Sequence, residues 1–447
     1  MVSRGRHPST AQSGPWKIAW CHTGDSGGSK RAAFEMVREL TRRGHVIDEY
    51  IIRIGEPNLS HWPLQPFVRD SYRYLMPAVG NSLRPHLIHA WVQLCQDFLK
   101  MKSFMHTLKG VAADIHVRAY DFVHIDHCSP SYTVLLTTML KSPTVVYSHE
   151  VSGARYEPSA FGGSRSTPAR IRWAYEMGCG LAARTWSKFR QHQDLQGLAD
   201  ADIVLTNSCY SKEIMFQRAR RLCSVCRYGV DTKSFRPLGM PVESMIVSAG
   251  RLVEAKQHHL VIEALSIVPE SLRPRLVIAT PETLTHQEDP AYVARLIRMA
   301  EAAHVALEIT RNPSEGELVA IYNKALMLVF VPIMEPFGLV ALEAMACGVP
   351  VVGVREAGVR ESVLHDKSGI LVDRDATELA CAITFLIEHP ETRGRQGREA
   401  ADYVRKEWTW EQSLDCYECQ VAVLLEQRVA SSNGRTGKSD VRSIQAR

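Results

Sequence analysis

The sequence predicts an α/β protein built as two Rossmann-like domains that face each other across a cleft. Three observations carry this reading. Short apolar runs alternate with amphipathic helical stretches along most of the chain, as parallel βαβ units require. The alternation runs through two series, separated by a Pro- and Gly-bearing joint near residues 236–243. Many of the apolar runs end in polar residues, and strand carboxyl ends are where open α/β sheets collect ligand groups.

In the first series, "WKIAWCHTG" (16–24) is a strand closing in small residues. In "GDSGGSKRAAFEMVRELTRRGH", Ala33, Met36, Val37 and Leu40 recur at helical spacing and Gly44 supplies the stop. "VIDEYIIRI" is the next strand, completing the start of a βαβ unit. Residues 60–115 read as mostly helical and rich in aromatics and His. "YDFVHID", "SPTVVYSHE" and "ADIVLTNS" are further strands. In the second series strands and helices pair off as "MIVSAGRL" with "KQHHLVIEALSIV", "RLVIATP" with "PAYVARLIRMAEAAH", "VALEITR" with "SEGELVAIYNKA", and "LMLVFVP" with "LVALEAMACG". "VPVVGV" and "GILVD" extend the sheet. The resulting division is a disordered tail over 1–15, a first Rossmann-like domain over 16–238, a second over 239–407, a helix over 408–427 and a disordered tail over 428–447.

The bulk numbers are compatible. A chain of 447 residues suits two or three domains at ~150 residues each. Fifty-three basic residues stand against 48 acidic ones, and a net charge of +5 does not by itself call for nucleic acid. No apolar run reaches the ~20 residues of a membrane span, and "MVSRGRHPSTAQSGP" lacks an apolar signal-peptide core. A soluble cytoplasmic protein is expected. Eleven scattered cysteines fit reduced thiols. Cys223 and Cys226 lie in a strand-like stretch and Cys416 and Cys419 on a helix, so the two C-x-x-C pairs read as structural rather than as one zinc site.

The chemistry concentrates in "EPFGLVALE" (335–343), an apolar run bounded by carboxylates. Pro336 keeps Glu335 out of the helical region, and the helical period begins near Gly338 or Leu339. The amides of Phe337, Gly338 and Leu339 then form an anion-binding helix N-terminus. A carboxylate avoids phosphate but suits vicinal hydroxyls. The pattern hydroxyl-binder, phosphate-binder, hydroxyl-binder matches a nucleotide diphospho-sugar, with Glu335 on the sugar and Glu343 on the ribose. Arg251 and Lys256 in "SAGRLVEAKQ" supply cations for the diphosphate.

"GRLVEAK" followed by "EPFGLVALEAMACGVPVVG" resembles the retaining glycosyltransferases of family 4, which have the GT-B fold. "YGVDTKSFRP" and "GGSKRAAFEMVRELTRRGHVI" resemble other segments of that family. The resemblance spans roughly residues 16–427. It implies that Arg251 and Lys256 hold the diphosphate and Glu343 the ribose. Glu335 and the amides of Phe337 to Leu339 contact the transferred sugar, and Gly27 or Gly28 closes over the phosphates. The family's His-x-His falls here on "FVHIDHC", so either Asp126 or His127 faces the sugar, and His149 matches a recurrent family His. The implied reaction is transfer of a hexosyl group with retained anomeric configuration. The implied mechanism is front-face attack with no metal and no bound cofactor, and the final helix crosses back to the first domain. Asp200 and Asp202, at metal-ligand spacing, read as helix-end and strand-start residues.

The donor is then a nucleotide sugar. The acceptor is a glycan, a lipid-linked sugar or a small molecule, and nucleic acid is not expected. The aromatic–basic run from Arg165 to Arg190 reads as a solvated helix face, with a peripheral contact to the inner face of a membrane as the alternative. The rival functions are an epimerase or phosphorylase on the same fold, or a non-catalytic sugar-nucleotide binder.

Overall fold

Two parallel sheets, each wound in the same order, place every predicted site residue. The computed structural model describes residues 14–23, 27–54, 62–76, 87–128, 132–150, 188–189, 191–280 and 289–432. The first half holds β1 (Lys17–His22), α1 (Gly28–Arg42), β2 (Val46–Ile54), β3 (Asp70–Met76), α2 (Leu87–Arg118), β4 (Phe122–Cys128), a 3₁₀ turn (Tyr132–Met139) and β5 (Thr144–Glu150). A helix over 191–200 (α3), β6 (Ile203–Thr206), α4 (Cys209–Ala219) and β7 (Ser224–Val225) complete it. Its strand order is β3-β2-β1-β4-β5-β6-β7.

The second half runs β8 (Met245–Ala249), α5 (His258–Ile267), β9 (Arg275–Thr280), α6 (Pro290–Ala302), β10 (Leu307–Arg311), α7 (Glu315–Lys324), β11 (Met327–Phe330), α8 (Leu339–Ala346), β12 (Val351–Val354), α9 (Val359–Ser362), β13 (Gly369–Val372), α10 (Ala376–Glu388) and α11 (Pro390–Glu407). Its order is β10-β9-β8-β11-β12-β13. In both sheets the order reverses once, between β1 and β4 and between β8 and β11, and such switch points open ligand crevices at the strand carboxyl ends.

The elements follow from local chemistry. Strands β8, β11 and β12 are buried along their whole length, as expected of sheets covered on both faces. Helix α7 starts in a capping box of Ser314 and Glu317, and α6 in Asp289 with Pro290 behind it. The expectation that residues 60–115 are mostly helical matches α2 but misses β3, which occupies the edge of the first sheet. Tyr72 and Tyr74 alternate along it and both lie against Tyr50 of β2, with ring centroids 5.0 and 6.2 Å away. That period-two signal spans one short strand and is hidden in an aromatic-rich stretch.

The chain passes between the halves twice. Gly229–Val230 leads out and Trp408–Thr409 leads back, and the two segments pair, with Val230 N–H donating to Trp408 O at 2.9 Å. A Cβ on Gly229 would lie 2.2 Å from Trp410 N, so the approach requires glycine. The return feeds α12 (Trp410–Ser432). Its Leu414, Tyr417, Val421 and Leu424 are buried on one stripe. Its acidic residues meet α1: Arg43 reaches Glu418 at 2.6 Å and Asp415 at 2.8 Å, and His45 reaches Glu418 at 2.9 Å. Both tails beyond 14–432 and the run 151–187, with most of the aromatic–basic stretch, lie outside the described residues. Among the described residues no helix is long and apolar enough to cross a membrane.

Candidate active site

The loops after β8 and β11 flank the switch point of the second sheet and are tied together. Ile333 N–H donates to Ala255 O at 2.8 Å. Lys256, at the end of a single 3₁₀ turn, places Nζ 2.6 Å from Glu335 Oε2. Both side chains are about one-fifth exposed, so the pair is reachable from the cleft. Arg251 lies in the same loop, which His258 braces: Nδ1 is 2.8 Å from Ser248 Oγ and Nε2 3.2 Å from Arg251 O. Burial pushes His258 down to about 4, so the brace is neutral. Arg374 holds the facing loop, donating to Val331 O at 2.6 Å and Pro332 O at 2.8 Å.

Helix α8 begins as the periodicity predicts. Gly338 is its N-cap at φ +89°, a left-handed conformation that favours glycine, and a Cβ there would stand 3.0 Å from the Phe330 ring. The amides of Leu339 and Val340, in the first turn, have no partners within the helix, and those of Phe337 and Gly338 precede it. From the first half, Gly27 caps α1 at φ +117°, and a Cβ on Gly28 would be 3.9 Å from Leu339 Cδ1. The glycine turn and the α8 N-terminus therefore face each other across the cleft.

Glu343 is 3% exposed. Burial pushes its carboxyl up, and Arg31 opposes that push. The guanidinium of Arg31, from α1 of the other half, donates to Oε1 at 2.5 Å, and Tyr322 O–H lies 3.5 Å from Oε2. The sequence reading did not include Arg31. Its position three residues past Gly28 was the only available hint.

At the other switch point, the strand alternation puts His124 and Asp126 on one face of β4 and His127 on the opposite face. Asp126 is buried with both oxygens engaged. Oδ2 accepts from Trp20 Nε1–H at 2.7 Å. Oδ1 lies 3.1 Å from His124 Nε2 and 2.8 Å from His149 Nε2. Burial pushes this carboxyl up, but the hydrogen bonds from His124 and His149 outweigh it and hold Asp126 well below the usual carboxylate range. An ionised Asp126 makes both Nε2 atoms donors. Assigned from that network, His149 Nδ1 accepts from Tyr228 O–H at 2.5 Å and His124 Nδ1 from Tyr417 O–H at 2.8 Å. The sequence left Asp126 and His127 as alternatives facing the sugar. In the structure Asp126 and His149 are committed to this internal network. His127 Nδ1 is buried and makes no hydrogen bond among the described residues.

The network reaches the loop between β11 and α8. The Tyr228 ring meets Phe337 edge-on, centroids 4.8 Å apart, and Phe337 also packs on Trp408. Two further contacts bridge the halves: Ser208 Oγ–H donates to Pro336 O at 2.6 Å, and Glu361 accepts the N–H groups of Cys209 and Tyr210, at 2.9 and 2.7 Å, at the start of α4. Asp202 caps the start of β5 through Thr144 N–H at 2.8 Å and pairs with Arg428. Among the described residues no group of three or more His, Cys, Asp or Glu could hold a metal ion. Cys226 and Cys416 are in contact, with sulfurs 3.0 Å apart.

Two facing Rossmann-like halves, with charged loops and a helix N-terminus at the switch point, make up the GT-B architecture. The family model for glycosyl transferases group 1 matches residues 232–403. The D-inositol 3-phosphate glycosyltransferase of Corynebacterium glutamicum (strain R) is 30% identical over 440 residues, covering 92% of this chain and 94% of that protein. The enzyme of the same name from Thermobifida fusca is 31% identical and covers 88% of each chain. The chain belongs to the group 1 glycosyl transferases, the family 4 enzymes that its motifs resemble. Among solved structures, sucrose-phosphate synthase from Thermosynechococcus elongatus aligns with a TM-score of 0.68 at 19% identity, over 93% of this chain and all of that one. Anabaena Alr3699/HepE in complex with UDP-glucose aligns at 0.66 and 16% identity, over 91% of this chain and all of that one. Both likenesses concern the fold.

Proposed function

We propose that this glycosyltransferase moves a hexosyl group from a nucleotide diphospho-sugar to an acceptor hydroxyl with retention of anomeric configuration. The observation that carries the reading is the Lys256–Glu335 pair, 2.6 Å apart beside the α8 N-terminus, with the glycine turn of the other half against Leu339. A donor laid along this line meets Glu335 with its sugar hydroxyls and Glu343 with its ribose. Its diphosphate lies between them, against Lys256, Arg251 and the amides of Phe337 to Leu339.

The chemistry follows from charge placement. As the glycosidic bond breaks, charge grows on the leaving diphosphate, and fixed cations and amide dipoles stabilise it there. The acceptor hydroxyl attacks from the leaving-group face and gives its proton to the departing phosphate oxygen. Closure of the halves excludes water and limits donor hydrolysis. Asp126 keeps the strand ends and His149 in register. The relatives named for D-inositol 3-phosphate make a phosphorylated cyclitol the first acceptor to assay.

The test is a thermal-shift panel of UDP-, GDP- and ADP-sugars, followed by transfer assays with the donor that stabilises. One donor raises the melting temperature of the wild type, Lys256→Ala loses most of that shift, and the product keeps the donor's anomeric configuration by NMR. Inertness toward every nucleotide sugar at millimolar concentration overturns the reading.

A further inference from the structure

The Arg31–Glu343 pair joins the halves at the point where the donor's ribose is placed. Arg31 is held by protein groups on several sides. Its guanidinium lies over the Trp62 ring at 4.8 Å and the Phe235 ring at 5.0 Å. Its Nη1 is on Glu343 Oε1 at 2.5 Å and its Nη2 is 3.5 Å from Glu315 Oε2. Glu343 thus has one oxygen bound tightly from the opposite half. Among the described residues the other oxygen has only the long 3.5 Å contact with Tyr322.

Resting on the donor reading above, we propose that Arg31 is a positioning residue for the ribose: by gripping Oε1 across the cleft it fixes the Glu343 side chain and turns Oε2 toward the vicinal hydroxyls. The charge pattern supports this. The charged and titratable groups around Glu343 are Arg31 from α1, Glu315 and Tyr322 from α7, and Cys347 at the end of α8 itself. Glu35, one turn beyond Arg31 on α1, is pushed up to about 7, chiefly by burial. Arg31 is thus the cation that opposes both burial and Glu315 at Glu343. A protonated Glu343 has one acceptor fewer for the ribose and no charge to strengthen its hydrogen bonds. Removing Arg31 also pushes the Glu343 carboxyl further upward. The ribose site is therefore complete only when α1 of the first half is docked on α8.

Isothermal titration with UDP, GDP and ADP, with inorganic pyrophosphate and with the dideoxyribose analogue of the tightest binder tests this across about pH 5 to 8. Wild-type affinity for the nucleoside diphosphate falls toward acid as Glu343 protonates. In Arg31→Ala that fall moves up by about one to three pH units, and affinity at neutral pH drops about tenfold. Arg31→Lys recovers part of it. Pyrophosphate and the dideoxy analogue, which lack the hydroxyls, bind wild type and variant alike. Equal loss of nucleoside diphosphate and pyrophosphate, or an Arg31→Ala profile that matches wild type, overturns the proposal. If Arg31→Ala does not fold, Glu343→Gln decides. A flat pH profile with weakened ribose binding supports the proposal, and a retained acid fall overturns it. Failure of the wild type to bind any nucleoside diphosphate overturns the donor reading itself, and this inference with it.

Discussion

The two switch points contain similar residue types arranged to opposite effect. Around Lys256 and Glu335, opposite charges sit about one-fifth exposed on loops set by glycine and a helix end. Around Asp126, the carboxylate is buried and saturated by three ring N–H donors. Under the proposed function, the first arrangement lets charges exchange a protein partner for a ligand. The second holds strand ends in register and, through Tyr228 and Phe337, steadies the loop that carries the first. Exposure and unfilled hydrogen-bond capacity, more than residue identity, separate a group placed for chemistry from one placed for support.

The largest expected effect tests the exposed side of that contrast. Lys256→Ala should cut transfer by about 10²–10³-fold while melting stays near wild type. Retained activity would put this pair with the supporting charges. Asp126→Asn should do the reverse and cost roughly 2–4 kcal/mol of stability in urea titration at neutral pH. The linkage has a definite sign. Asp126 titrates below its unfolded value, so its contribution is fully present above the ordinary Asp range and is lost as pH falls through the folded value. The gap between wild type and Asp126→Asn should therefore narrow below about pH 4. Tyr228→Phe keeps the ring on Phe337 and removes the O–H on His149, for a loss of about 1 kcal/mol. A large kcat effect from it would show that the supporting network also sets the chemistry. Smallest is Glu361→Gln, which weakens a cap across the cleft by ~0.5 kcal/mol and should show in small-angle scattering as a larger radius of gyration.

How legible each side was follows from the same contrast. "EPFGLVALE" and "GRLVEAK" were readable because a charge or glycine in an apolar run is conspicuous, and local spacing fixes where its helix begins. Most strands of the second half were readable because buried parallel strands are nearly continuous apolar runs. Arg31, Arg374 and Tyr228 were not, since each acts on a residue far away in sequence, as Arg31 does on Glu343. Strand β3 was missed because its alternation covers a single edge strand. The question posed by Asp126 and His127 needed the neighbouring strands, which alone show that Trp20 and His149 already occupy the carboxylate.

The paired crossings at Gly229–Val230 and Trp408–Thr409 act as two pins of one door. A single tether would let the halves swivel and twist freely. Two adjacent, hydrogen-bonded tethers leave essentially one swing, about the line through both. The α8 N-terminus and the glycine turn can then part and meet only along one arc, so each reclosure returns Arg31 to the same carboxylate without a search.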